Sequence, residues 1–308
     1  MMNKEIFMNL MTDFAFKRLF GSRERKYILI RFLNILFATE GMRIDDVFYH
    51  DKEILPEDEN GKRILYDIYC TTKNEKEHII LEMQQAYHDF FENRTVFYSS
   101  KAISSQGRRG KNYDLKPVYS IFFVDFHFPH MTRNGIHDVR LMDVHSHEIY
   151  SNLFRMIFLH LDEAKKNWDD CRTDYEKILF LIKNMHTMDK NSKAYLSGEF
   201  EDLFRESEIK SMAAEDAVAY GESYQKYVDT MAAVDYAARD SFSKGMEKGM
   251  AKGMEKGMEK GMEKGREEGK EEERVKGIRF MLELGISAEI ISQKYGITVE
   301  DVMRCANS

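Results

Sequence analysis

The chain has 308 residues, 43% of them hydrophobic and 32% charged, with a formal net charge of −7. Such a chain holds one or two domains with a buried core. Its negative balance excludes a generic basic nucleic-acid coat but not an enzyme that meets DNA through one local basic surface. The opening MMNKEIFMNLMTDFAFKRLF lacks a signal-peptide pattern, and no run approaches the roughly 18 apolar residues of a membrane span. Cys70, Cys171 and Cys305 are odd in number and far apart. They point to a reducing compartment rather than a disulfide framework or a zinc knuckle, so a cytoplasmic location is expected.

The three prolines, Pro56, Pro117 and Pro129, all lie in the first half, where the strand-like runs fall. The second half has none, as long helices require, and the character changes near residue 165. Apolar spacing predicts a helix over 5–20, interrupted or recapped at Thr12 and Asp13, and a second over 26–38. Strand-like runs follow at 43–50, 63–72 and 77–84, with an exposed acidic connection at 51–61. A helix is predicted over 89–106, closed by Gly107 and Gly110. The run PVYSIFFVDF at 117–126 reads as a central strand, with further strands at 139–144 and 149–158 and helices at 172–188 and 195–236.

The tail changes again. Glycine recurs at every fourth position from Gly245 to Gly269, mostly as GMEK. Four residues advance an ideal helix by about 400°, so the glycines trace a slowly winding groove and the methionines a ridge beside it. Each glycine costs roughly 1 kcal/mol against alanine in a helix, so the segment is either flexible or a groove for close approach of another helix. Lys and Glu nearly balance here, which excludes a basic DNA-binding arm. Residues 277–308 read as a small helix-turn-helix-like element. Its Arg279, Lys294 and Arg304 are offset by Glu283, Glu289, Glu300 and Asp301, so packing or assembly fits it better than DNA reading. The expected division is 1–165, a helical extension at 166–243, the repeat at 244–276 and the terminal element at 277–308.

Chemistry concentrates in RILYDIYCTTKNEKEHIILEMQ, residues 63–84. A two-residue loop at Asn74–Glu75 sets Asp67 opposite Glu82 in a hairpin. Like charges facing each other in a sheet are destabilising, and burying them is worse. Asp67 sits in an apolar run where a solvated surface strand would alternate. A divalent cation between the carboxylates resolves the conflict, and an oxygen set completed by water suits Mg²⁺. Gln84, two residues beyond Glu82, shares its strand face.

Taken in order, TDFAFKRLFG (12–21), YDIYC (66–70), LEMQ (81–84), NRTVFYSSKAISSQ (93–106) and YDLKPVYSIFFVDF (113–126) resemble the PD-(D/E)XK nuclease superfamily. More closely they resemble its recombination-promoting, Rpn-type members, also described as PD-(D/E)XK family transposases. The resemblance covers about residues 5–160. It implies an α/β, restriction-endonuclease-like core of mixed β-sheet flanked by helices, followed by a helical C-terminal half with the GxxxG-type repeat. It implies Mg²⁺-dependent cutting of DNA, with Mn²⁺ able to substitute, in recombination or mobile-element movement. Asp67 and Glu82 become metal ligands, joined by the Met83 backbone carbonyl. Asp13 becomes a helper for the metal's outer shell or the attacking water. Gln84 stands where the wider superfamily has lysine. It is neutral, and can orient water or hydrogen-bond a phosphate oxygen.

Arg94, Tyr98 and Lys101 share one helix face and are candidate DNA contacts, as are Arg108, Arg109 and Lys111 of the GRRGK loop. His127, His130, His137, His145 and His147 invite a metal reading, with His145 and His147 expected on one strand face. No carboxylate or cysteine follows them at a recognised ligand spacing, so no histidine metal site is expected. Phosphate-loop and GxSxG nucleophile motifs are absent. Homo-oligomerisation through the repeat is expected, without membrane attachment. The rival to an endonuclease is a catalytically weak or inactive nuclease fold that binds DNA or oligomerises.

Overall fold

The computed structural model describes residues 5–51, 53–54, 64–73, 76–107 and 112–307, with the backbone alone at 53, 54, 306 and 307. It divides into two compact units, 1–234 and 235–308. The first is a six-stranded mixed sheet between helices, and a helical C-terminal part follows.

Helix α1 (Asp13–Phe20) starts where the Thr12 side chain accepts from the Ala15 N–H, an N-cap. It ends at Gly21, where an added Cβ would lie 2.8 Å from the Lys17 carbonyl oxygen. The predicted helix over 5–20 is therefore only its second half. Around Phe7 the chain leaves the helix because a tertiary partner satisfies its backbone: Phe7 bridges Glu208 and the Met8 N–H donates to the Ser207 carbonyl, and a turn at Leu10 and Met11 leads into Thr12. Helix α2 (Lys26–Leu36) follows.

Strands β1 (Val47–Tyr49), β4 (Ile68–Thr72), β5 (His78–Gln84), β6 (Val118–Val124), β8 (Ile149–His160) and β7 (Ile136–Met142) lie in that spatial order. A separate pair joins β2 (Glu53–Ile54) and β3 (Ile64–Leu65). β5 and β6 are parallel, linked through α3 (Phe91–Ser104), and β6 and β8 are also parallel. Inner parallel strands are covered on both faces, which is why VYSIFFV and the IIL of HIILEMQ are continuous apolar runs. The register places Leu81, Ile121 and Ile157 in one row, and Glu82, Phe122 and Phe158 in the next. The first row joins the main core with Phe16, Phe20 and Phe32 of α1 and α2 and the inner face of α4 (Asp174–Asn184). Phe122 and Phe158 pack against Phe91 of α3. Edge strand β7 carries Asp138 and Arg140 and a bulge after Arg140, features that discourage further strand pairing.

Two further expectations differ from the structure, and a third falls outside the described residues. The helix expected over 195–236 is three pieces, α5 (Lys193–Leu196), α6 (Glu201–Ser207) and the start of α7 (Ala214–Glu283). Gly198, with φ of +71°, breaks the first join. His145 and His147 do not share a strand face. They lie in the exposed β7–β8 turn, whose Asp143 carboxylate accepts from the His145 and Ser146 N–H groups. The loop residues Arg108, Arg109 and Lys111, like Asn74 and Glu75, lie outside the described residues.

In the second unit the glycine repeat lies within α7, and a Cβ at any glycine from Gly245 to Gly269 would meet open space. Ile278 of α7, Ile291 of α8 (Ala288–Tyr295) and Val302 of α9 (Val299–Asn307) form a small core. Gly296, with φ of +64°, ends α8. Among the described residues no helix is long and apolar enough to cross a membrane.

Candidate active site

The β4–β5 pairing aligns Ile68 with Leu81 and Tyr69 with Ile80, and one step further it brings Asp67 to Glu82. Asp67 has left the regular ladder, and side chains replace backbone in the next pair of bonds. The Asp67 N–H donates to Glu82 Oε1 at 3.1 Å, and the Met83 N–H donates to Asp67 Oδ2 at 3.1 Å. Glu82 is thus held by the Asp67 backbone and Asp67 by the Met83 backbone at the end of β5. Glu82 is 4% exposed. Burial pushes its carboxyl up to about 8, and the neighbouring Asp67 charge adds to the rise.

A residue that sequence reasoning missed closes the group. Lys17 Nζ lies 3.2 Å from Asp67 Oδ1 and 2.5 Å from Asp13 Oδ1. Burial opposes its charge, but Asp13 and Asp67 outweigh burial and hold the ammonium above its ordinary pKa. The available signal was the four-residue spacing from Asp13 to Lys17 in TDFAFKRLF, which puts both on one face of α1. Asp13 is itself exposed and reaches Asp67 through Lys17.

Several contacts aim α1 at this corner. The Gln85 amide, just past β5, donates to the Met11 carbonyl. From α7, the Tyr220 hydroxyl accepts from the Asn9 N–H at 2.9 Å and Ser223 Oγ from the Phe14 N–H at 3.0 Å. Arg18 pairs with Asp216. A cleft of about 940 Å³ opens here, lined by Asp13, Lys17, Arg18, Asp216 and Lys226 among others. Its charge is mixed, and Arg18 and Arg25 already hold carboxylates.

From the other side α3 presents Arg94, whose guanidinium stacks 5.8 Å from the Phe91 ring centre and 5.7 Å from that of Tyr98. Its positive charge favours ionised Glu82. Tyr98 is half-buried, and its backbone carbonyl accepts from the Tyr66 hydroxyl at 2.8 Å. Lys101 is half-buried further along α3. Gln84 is half-buried on the face of Glu82, and its carbonyl accepts from the Asp125 N–H. The site therefore gathers Asp67, Glu82, Asp13 and Lys17, with Gln84 and Arg94 beside them.

Residues 10–237 match the sequence model of the PD-(D/E)XK nuclease family transposases. The chain belongs to that family. Searches among curated proteins and among solved structures find no significant match. Nucleases of this superfamily typically use divalent metals. Glu82 is buried with a second carboxylate against it, an arrangement of hard oxygen donors that a divalent cation relieves.

Proposed function

We propose that the chain is a Mg²⁺-dependent DNA endonuclease that hydrolyses phosphodiester bonds in recombination or mobile-element movement. The observation that carries this reading is buried Glu82 with half-buried Asp67 beside it, held by the Asp67 and Met83 N–H groups, with Lys17 on one side and Arg94 on the other. Asp67, Glu82 and the Met83 carbonyl would hold the metal. When bound, it would lower the pKa of water and offset charge on the phosphate.

The remaining steps fall to the chain's own groups. Water attacks phosphorus in line, and the bond to the leaving oxygen breaks as that oxygen gains a proton. Gln84, on the face of Glu82, can orient the water or donate to a phosphate oxygen. The superfamily position occupied by Gln84 lacks a cation, and Lys17 supplies one from α1. Its ammonium can face the pentacoordinate phosphate, where preorganised positive charge lowers the barrier. Asp13 orients Lys17. On α3, Arg94, Tyr98 and Lys101 would hold the DNA backbone, with Arg108, Arg109 and Lys111 further along the chain. Phe90, which is 75% exposed with φ of +64°, and Phe97 flank Arg94 and offer flat surfaces to bases. The exposed glycine–methionine helix would join copies of the chain.

A labelled DNA duplex incubated with the full-length protein and Mg²⁺ should be shortened, and EDTA should stop the reaction. An intact duplex after prolonged incubation with either Mg²⁺ or Mn²⁺ would favour the inactive, DNA-binding alternative.

A further inference from the structure

Of the eight buried side-chain polar atoms left without a hydrogen-bond partner among the described residues, four lie together. They are His127 Nδ1, His160 Nδ1, Asp162 Oδ1 and Glu163 Oε1. His127 Nδ1 is 4.0 Å from Glu163 Oε1, and His160 Nδ1 is 3.4 Å from Asp162 Oδ1. Donor atoms of His127, Asp162 and Glu163 all fall within 4.8 Å of one another. Orphaned buried polar atoms are costly, and each calls for a reason, a bound ion being one.

The protons show why the orphans persist. His137 Nε2 lies 2.9 Å from the Thr132 carbonyl, an acceptor only, so Nε2 carries hydrogen. His137 Nδ1 and His160 Nε2 lie 2.9 Å apart and share one hydrogen bond. This leaves Nδ1 of His160, a residue 0% exposed, aimed at Asp162 with no hydrogen bond made. The second oxygen of Glu163 accepts from the Gly135 N–H at 2.7 Å, fixing that carboxylate as outer contacts fix metal ligands.

We propose that His127, Asp162 and Glu163, with His160 beside them, form a site for one divalent transition-metal ion of the zinc class. Imidazole with carboxylate is the donor mixture such ions take. Bonds of about 2.0–2.1 Å place tetrahedral ligands roughly 3.4 Å apart, so small side-chain rotations suffice. The ion would tie the chain after β6 to the end of β8. The site is separate from the carboxylate pair. Gln84, Val124 and His160 are in register across β5, β6 and β8, so it lies two strands over, about 10 Å away at the same C-terminal end of the strands.

The test uses full-length protein made without a histidine tag, titrated with Zn²⁺ by calorimetry and assayed for bound metal. One Zn²⁺ per chain is expected, retained in Asp67→Ala. His127→Gln and Asp162→Asn should each bind at least about tenfold more weakly. Unchanged affinity in both variants, loss of Zn²⁺ in Asp67→Ala, or no Zn²⁺ bound at all would overturn the proposal. Should the variants fail to fold, X-ray absorption on the Zn²⁺-loaded wild type decides. Nitrogen and oxygen neighbours with imidazole scattering support the site. A sulfur neighbour at about 2.3 Å, or no imidazole, refutes it.

Discussion

Replacing Glu82 with glutamine should make the metal-free protein more stable while destroying its response to metal. Glutamine keeps the oxygen that accepts from the Asp67 N–H, and it removes the charge that burial and Asp67 oppose. The carboxyl moves from an ordinary 4.5 to about 8 on folding. At pH 7 that difference corresponds to up to about 3 kcal/mol, at about 1.4 kcal/mol per pH unit. For a domain of this size the gain is about 5–10 °C in melting temperature. The sign follows from proton binding. Between about 4.5 and 8 the unfolded chain has released a proton that folded Glu82 still holds. The stability due to this group is therefore fully present below about pH 4.5 and is lost as pH rises through about 8. Thermal melts in EDTA across that window should show wild type falling behind Glu82→Gln. Adding Mg²⁺ should raise wild type and leave the variant unmoved. A variant less stable than wild type in EDTA at pH 7, or a gap that ignores pH, would refute the reasoning.

Other outcomes follow from named contacts. Lys17→Met should lower the cleavage rate about 100-fold, the scale of losing one preorganised donor, with the fold intact by circular dichroism. A rate within twofold of wild type would remove Lys17 from the chemistry. Arg155 on β8 is 6% exposed and is held by Glu40 at 2.8 and 2.5 Å and by Asp138 at 2.9 and 2.8 Å. Arg155→Ala should cost about 3 kcal/mol in urea unfolding, because two partly buried carboxylates lose their cation. Deleting 244–308 should reduce the mass seen by light scattering, and an unchanged mass would make the repeat a tether only.

The central strands were legible because buried parallel strands leave apolar runs, IIL in β5 and IFFV in β6. The short polar interval between β4 and β5 made their register legible, and with it the approach of Asp67 to Glu82. Lys17 was not legible as a partner, because α1 reaches the carboxylates only through tertiary contacts from Gln85, Tyr220 and Ser223. The segment before Thr12 has helix-like apolar spacing, yet Ser207 and Glu208 supply backbone partners around Phe7 and draw it out of the helix. The cluster at His127 was hidden for a similar reason. Its carboxylates follow a different strand and come near only when β6 and β8 lie side by side.

The most direct test of nuclease action at Asp67 and Glu82 is nicking of supercoiled plasmid by the purified full-length chain. Wild type, Asp67→Ala and Glu82→Ala would be compared in Mg²⁺, Mn²⁺, Ca²⁺ and EDTA. Conversion to nicked and linear forms in Mg²⁺ or Mn²⁺, absent in EDTA and in both folded variants, is the predicted result. Cutting by either variant at the wild-type rate would contradict it.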